Sequence, residues 1–154
     1  MKTIFEAGLI FRGYTLVNRK FKDFIAKEST EIHEDLRASF ISAITEFCEY
    51  AFMGSSLEYL VSKDILIIFT TDTINADDFP SKEPILAYAI CDKKKNVDRQ
   101  VRSVVERLSN ILIYFIQRYN NQNLSETTQF NKFKRVIEDF FIRNKKVTEI
   151  TSLT

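Results

Sequence analysis

Hydrophobic positions are densest between Pro84 and Tyr119. An unbroken apolar run, Ile85-Leu86-Ala87-Tyr88-Ala89-Ile90-Cys91, leads into the charged turn Asp92-Lys93-Lys94-Lys95-Asn96, and helical periodicity follows from Val97 to Tyr119. A strand with apolar residues on both faces must be covered on both, which predicts a place near the middle of a sheet with helices above and below. The helix after it, roughly 23 residues and ~35 Å at 1.5 Å per residue, is long enough to cross such a sheet diagonally. Val97, Val101, Val104, Val105, Leu108, Ile111, Leu112, Phe115, Ile116 and Tyr119 make its wide apolar stripe, and Ile113 and Tyr114 fall off it, to be covered by the next helix or by another chain.

Two extended segments, Ile4 to Phe11 and Tyr14 to Phe21, join at Arg12-Gly13 as a hairpin. The earlier one is apolar on both faces and reads as interior. The later one alternates and carries Arg19 and Lys20, charges that discourage unwanted pairing at an edge. Lys22 to Glu34 reads as a polar loop holding the only histidine, His33. Asp35 to Met53 predicts a helix with a stripe of Leu36, Phe40, Ile41, Ile44, Phe47, Cys48, Ala51 and Phe52, stopped at Gly54. A second hairpin follows, Leu57 to Val61 and Ile65 to Thr70, with the alternating strand at an edge and the continuously apolar one inside. Asp72 to Glu83 reads as a loop. Phe130, Phe133, Ile137, Phe140 and Phe141 define a last helix, with Val136 at its margin. One domain over 1–143 and a flexible tail over 144–154 account for the chain.

Composition narrows the chemistry. At 154 residues, 45% hydrophobic and 28% charged, the chain is an ordinary globular domain able to bury a core without staples. A net charge of +1 provides no field toward nucleic acid or anionic membrane. Lys93 to Lys95 and the Lys132, Lys134, Arg135 group are diluted by neighbouring acids. Cys48 and Cys91 fall in buried patterns and read as small core hydrophobes of a reducing compartment, not as a disulfide. No leader is visible at Met1-Lys2-Thr3, and the apolar runs fall short of the ~20 residues a span needs.

Catalytic motifs are not found. Three glycines cannot supply a phosphate-cradling loop along with the turns. His33 stands in a charged stretch with no ligand or nucleophile at a known spacing. Glu46 with Glu49, and Glu138 with Asp139, read as solvated helix faces, and Asp77-Asp78 as turn chemistry. No cofactor, metal or reaction is expected.

The element order is strand, strand, helix, strand, strand, strand, helix, helix, over about Ile4 to Arg143. It resembles the longin domain, a relative of the roadblock fold. Ala7-Gly8-Leu9-Ile10-Phe11 and Ile85 to Lys93 are similar to the first and fifth strands of stand-alone longin-like proteins, which occur in archaea related to the eukaryotic lineage. Roadblock domains place a helix before the first strand, and Met1-Lys2-Thr3 leaves no room for one. The resemblance implies an α+β fold of the α/β/α sandwich type. It has a five-stranded antiparallel sheet, one helix on one face and two on the other. It implies a cytoplasmic, non-catalytic adaptor or scaffold for small GTPases or membrane-trafficking complexes. Such a module pairs as a homo- or heterodimer, with another longin or roadblock-type chain as a possible partner. It reaches membranes only through partners.

In that family's strand order Leu57 to Val61 is an exposed edge, a template for another strand. The expected contact surface is Leu57, Glu58, Tyr59 and Leu60, with Glu49, Tyr50 and Met53 on the neighbouring helix. The alternative is a small-ligand sensory domain of the profilin, PAS or GAF type, which needs an internal cavity of ~300 Å³ or more.

Overall fold

The computed structural model describes residues 4–21, 38–46 and 58–142. The fold is α+β, with one five-stranded antiparallel sheet and three α-helices. The strands are β1 (Ile4–Phe11), β2 (Tyr14–Lys20), β3 (Tyr59–Ser62), β4 (Ile65–Ile74) and β5 (Glu83–Asp92). Helix α1 covers 38–46, α2 Val97–Tyr119 and α3 Phe133–Ile142, with a 3₁₀ turn at Thr127–Phe130 between the last two. Strand order is β2-β1-β5-β4-β3, so β1, β5 and β4 lie inside and the alternating strands β2 and β3 form the edges.

Hydrophobicity decides this order. Every residue of β1 is buried, as are Ile85 to Cys91 of β5, because both faces of these strands are covered. One face carries Ala7, Leu9, Leu66, Ile68, Ile85 and Ala87 against Leu108, Ile111, Phe115 and Phe140 of α2 and α3. The opposite face carries Phe5, Ile10, Phe69, Leu86, Tyr88 and Ile90 against Ala38 and Ile41 of α1. Glu6 is the exception within β1: it is 2% exposed and accepts a 2.5 Å hydrogen bond from the Tyr88 hydroxyl. The β1–β2 connection is a two-residue turn with φ of 51° at Arg12 and 80° at Gly13, the left-handed pair that matches strand twist.

Helix α2 is fixed at both ends. The Asn96 side chain accepts from the Arg99 N–H at 3.1 Å, and the Asn120 N–H donates to the Ile116 carbonyl. The buried Gln100 amide donates to the Asp92 carbonyl at 2.7 Å and accepts from the Lys94 N–H at 2.9 Å, which ties the helix start to the end of β5. The heavy use of phenylalanine has its explanation where α2, the 3₁₀ turn and α3 meet. Phe115 lies 5.2 Å from Phe130 and 5.1 Å from Phe133, ring centre to ring centre, and Tyr119 lies 4.9 Å from Phe130. Offset and edge-on rings hold such a junction more specifically than aliphatic packing.

Several expectations change. Phe40 is 55% exposed, whereas Ala38, Ile41 and Thr45 are the buried positions of α1, so its inward face is turned from the expected stripe. Phe130 belongs to the 3₁₀ turn rather than to α3. Tyr114 is buried against Phe133 of the next helix, and Ile113 remains 41% exposed. Asp139 is buried, not solvated, and Glu138 lies 3.5 Å from Arg19. Strand β4 continues to Ile74, through residues expected in a loop. The loop with His33, the remainder of the 35–53 helix with Cys48 and its stop at Gly54, and the tail over 144–154 lie outside the described residues. Among the described residues, no helix is long and apolar enough to cross a membrane.

Candidate partner-binding edge

Strand β3 is short and sits at the rim of the sheet. Antiparallel pairing matches Tyr59 with Ile68, Leu60 with Ile67, Val61 with Leu66 and Ser62 with Ile65. The Phe69 N–H donates to the Glu58 carbonyl at 2.9 Å, so Glu58 and Leu60 turn their backbone groups inward toward β4. By the two-residue period of a strand, the N–H and C=O groups of Tyr59 and Val61 then point out of the sheet. Val61 is 48% exposed there. Tyr59 and Leu60 are half-buried and pack on opposite faces, Tyr59 with the α2–α3 layer and Leu60 with the α1 layer.

Of the expected contact residues, the structure therefore places Glu58, Tyr59 and Leu60 on one continuous rim, with Glu58 exposed. Leu57, Glu49, Tyr50 and Met53 lie outside the described residues. Beyond Glu58 the rim continues as an open groove of about 520 Å³. Thr45 of α1 and Val101, Arg102, Val105 and Glu106 of α2 form its walls, with Glu58 and Phe69 to Thr71 along it. The apolar run predicts this strand only as far as Thr70, so the groove is not legible from it. Thr70, Thr71 and Thr73 are β-branched and were the available signal.

A second feature holds the adjacent end of the sheet. Arg12, in the β1–β2 turn, donates to both Asp78 oxygens at 2.9 and 2.8 Å and to both Glu83 oxygens at 2.8 and 2.6 Å. Its guanidinium also sits 4.8 Å from the centre of the Phe11 ring. The hydrogen bonds to Glu83 and then Asp78 hold the guanidinium proton more firmly than usual. The same bonds draw both carboxyls below their ordinary range. Asp78 is thus bound in a clamp between two loops. Beside it lies a cavity of about 230 Å³, lined by Ile10, Arg12, Ser42, Thr45, Glu83 and Leu86 among others. The loop is tied again at its start, where the Asn121 N–H donates to the Asn75 carbonyl at 2.7 Å and the Asp77 N–H to the Gln122 carbonyl at 3.0 Å.

Among the described residues, no group of three or more His, Cys, Asp or Glu side chains is placed to hold a metal ion. Cys91 is a free thiol, and burial, with Asp92 adding to it, pushes its pKa up to about 12. No family model matches this chain, and no curated protein matches it.

Proposed function

We propose that this chain is a longin-like interaction module: a helix–sheet–helix sandwich that engages a small GTPase, or another longin or roadblock-type chain, through the edge formed by β3. The observation that carries this reading is the outward row of backbone groups at Tyr59 and Val61, flanked by the exposed Glu58 and Val61 side chains. An uncovered strand is a ready template for pairing with another chain. The element order and the packing of Ala38 and Ile41 on the sheet face opposite α2 and α3 support the longin-type architecture.

The ligand-sensing alternative has less support. Of the two cavities among the described residues, the one of 230 Å³ falls below the ~300 Å³ of small-molecule sites, and the larger groove opens along the rim rather than within the core. Capture by the immobilised full chain of small GTPases from the same cell, loaded with GDP or with a non-hydrolysable GTP analogue, tests the proposal. Retention of a GTPase in one nucleotide state is expected. No retention in either state overturns the GTPase reading.

A further inference from the structure

Positive charge gathers at one end of the sheet. The β3–β4 turn carries Lys63, the β5–α2 connection carries Lys93, Lys94 and Lys95, and the first turns of α2 carry Arg99 and Arg102. All six side chains are exposed, and among the described residues none of them makes an ion pair. Three carboxylates share this end: Asp64 and Asp98, which are exposed, and the half-buried Asp92. Cations therefore outnumber carboxylates there.

The backbone under these side chains is tied together. The Lys93 N–H donates to the Asp64 carbonyl at 2.7 Å, which joins the β3–β4 turn to the end of β5. The Lys94 N–H donates to the Gln100 side chain and the Arg99 N–H to the Asn96 side chain, which hold the connection against the start of α2. The cations thus stand on one connected platform.

A net charge of +1 hides this platform, because other acids lie at the far end of the sheet. Where β4 ends and β5 begins, Asp72, Asp77, Asp78 and Glu83 stand against Lys82 and Arg12, and Arg12 is held by Asp78 and Glu83. The 10 residues of β5 separate the two ends by about 30 Å. Charges are screened within about 8 Å at physiological salt, so the far acids do not cancel the field of the near end.

The chemistry of the platform selects its partner. Most of these cations are lysines, point charges on flexible stems without the fork by which arginine grips a single carboxylate or phosphate. Neither the 520 Å³ groove nor the 230 Å³ cavity is lined by a residue of the lysine turns. Attraction without fixed geometry suits a fluid array of anionic headgroups better than one acidic segment of a protein. We propose that this end of the sheet rests on an anionic lipid surface, with Lys63, Lys93, Lys94, Lys95 and Arg99 among the headgroups. Strand β3 reaches this end at Ser62, so the rim at Tyr59 rises away from the surface. The inference goes beyond the partner-binding rim and does not rest on it. A basic patch alone gives weak, reversible attachment, and stable attachment takes a second hold.

Flotation of the full chain with vesicles tests this, using phosphatidylcholine alone and phosphatidylcholine with about one-third phosphatidylserine. Flotation about tenfold or more greater with the anionic vesicles is expected. It is lost at about 1 M salt, where the screening length is about 3 Å. Lys93→Glu, Lys94→Glu and Lys95→Glu together abolish it. Lys63→Glu with Arg99→Glu, on two other elements, weakens it without touching that turn. Lys132→Glu, Lys134→Glu and Arg135→Glu together change the net charge equally, at exposed positions in and beside α3, and leave flotation intact.

Equal flotation with both vesicles, flotation with neither, or an equal loss in the α3 variant overturns the proposal. Failure to float, together with saturable binding of a polyglutamate peptide that the Lys93 to Lys95 variant loses, overturns it in favour of an acidic protein partner. GTPase capture measured without vesicles reads the rim alone, so the two proposals fail separately.

Discussion

The hydrogen bond from the Phe69 N–H to the Glu58 carbonyl, 2.9 Å long, is the last bond of the sheet's outer ladder among the described residues. On one side of it β3 is the outermost strand of the sheet among the described residues, and on the other β4 continues along β5 to Ile74.

Leu108 is fully buried between α2 and the sheet. Leu108→Ala is expected to cost about 2–5 kcal/mol, the range for cavity-forming changes in a core. Urea denaturation followed by circular dichroism measures it. A loss within about 0.5 kcal/mol, the surface range, would contradict the layer packing.

Gly8 is a glycine for steric reasons. A Cβ there would meet the Val17 carbonyl at 2.7 Å, the Asn18 Cβ at 2.9 Å and Tyr88 at 3.0 Å. Two of these neighbours belong to the adjoining strand and cannot swing away. Gly8→Ala is expected to destabilise by about 1–3 kcal/mol, as overpacking does, with the denaturant midpoint as the readout.

The Arg12 clamp makes an acid-sensitive contribution. Asp78 and Glu83 have depressed pKa values in the folded chain, so their contribution is complete above about pH 5 and disappears as pH falls through and below the ordinary carboxylate range near 4. Arg12→Ala should lower the melting midpoint at neutral pH by less than Leu108→Ala does, because these side chains are partly solvated. The gap between Arg12→Ala and wild type should close on acidification toward about pH 2. A gap that widens with falling pH would contradict the assignment.

Cys91 should be chemically silent while the protein is folded. With a pKa of about 12, only about one thiol in ten thousand is ionised at pH 8. Iodoacetamide followed by peptide mass spectrometry should leave Cys91 unmodified in the native chain and label it in denaturant. Fast native labelling would show that β5 is not covered on both faces.

The sequence made the interior legible and left the rim less so. Helix α2 runs from Val97 to Tyr119 as its periodicity predicts, and the strands apolar on both faces occupy the middle of the sheet. Such positions are read easily because burial on two sides leaves no polar alternative. Strand β4 runs past its predicted end at Thr70 to Ile74: Asp72 and Thr73 read as loop by their polarity, although polar residues exposed to water also occur within strands. Arg12, Asp78 and Glu83 are joined across 66 and 71 positions of sequence, a relationship that local spacing cannot display. Phe40 misled for another reason: a helical stripe fixes the period but not which of two neighbouring apolar columns turns inward.

GTPase capture by two variants at matched concentration separates the β3 edge from the α2 face as the binding surface. Val61→Pro deletes an outward N–H of β3 without removing a bond of the existing ladder, and Ile113→Ser alters the exposed face of α2. The prediction is that Val61→Pro loses capture while keeping its melting midpoint, and that Ile113→Ser captures as wild type does. Full capture by Val61→Pro together with loss in Ile113→Ser would contradict the edge and move the binding surface to the helix.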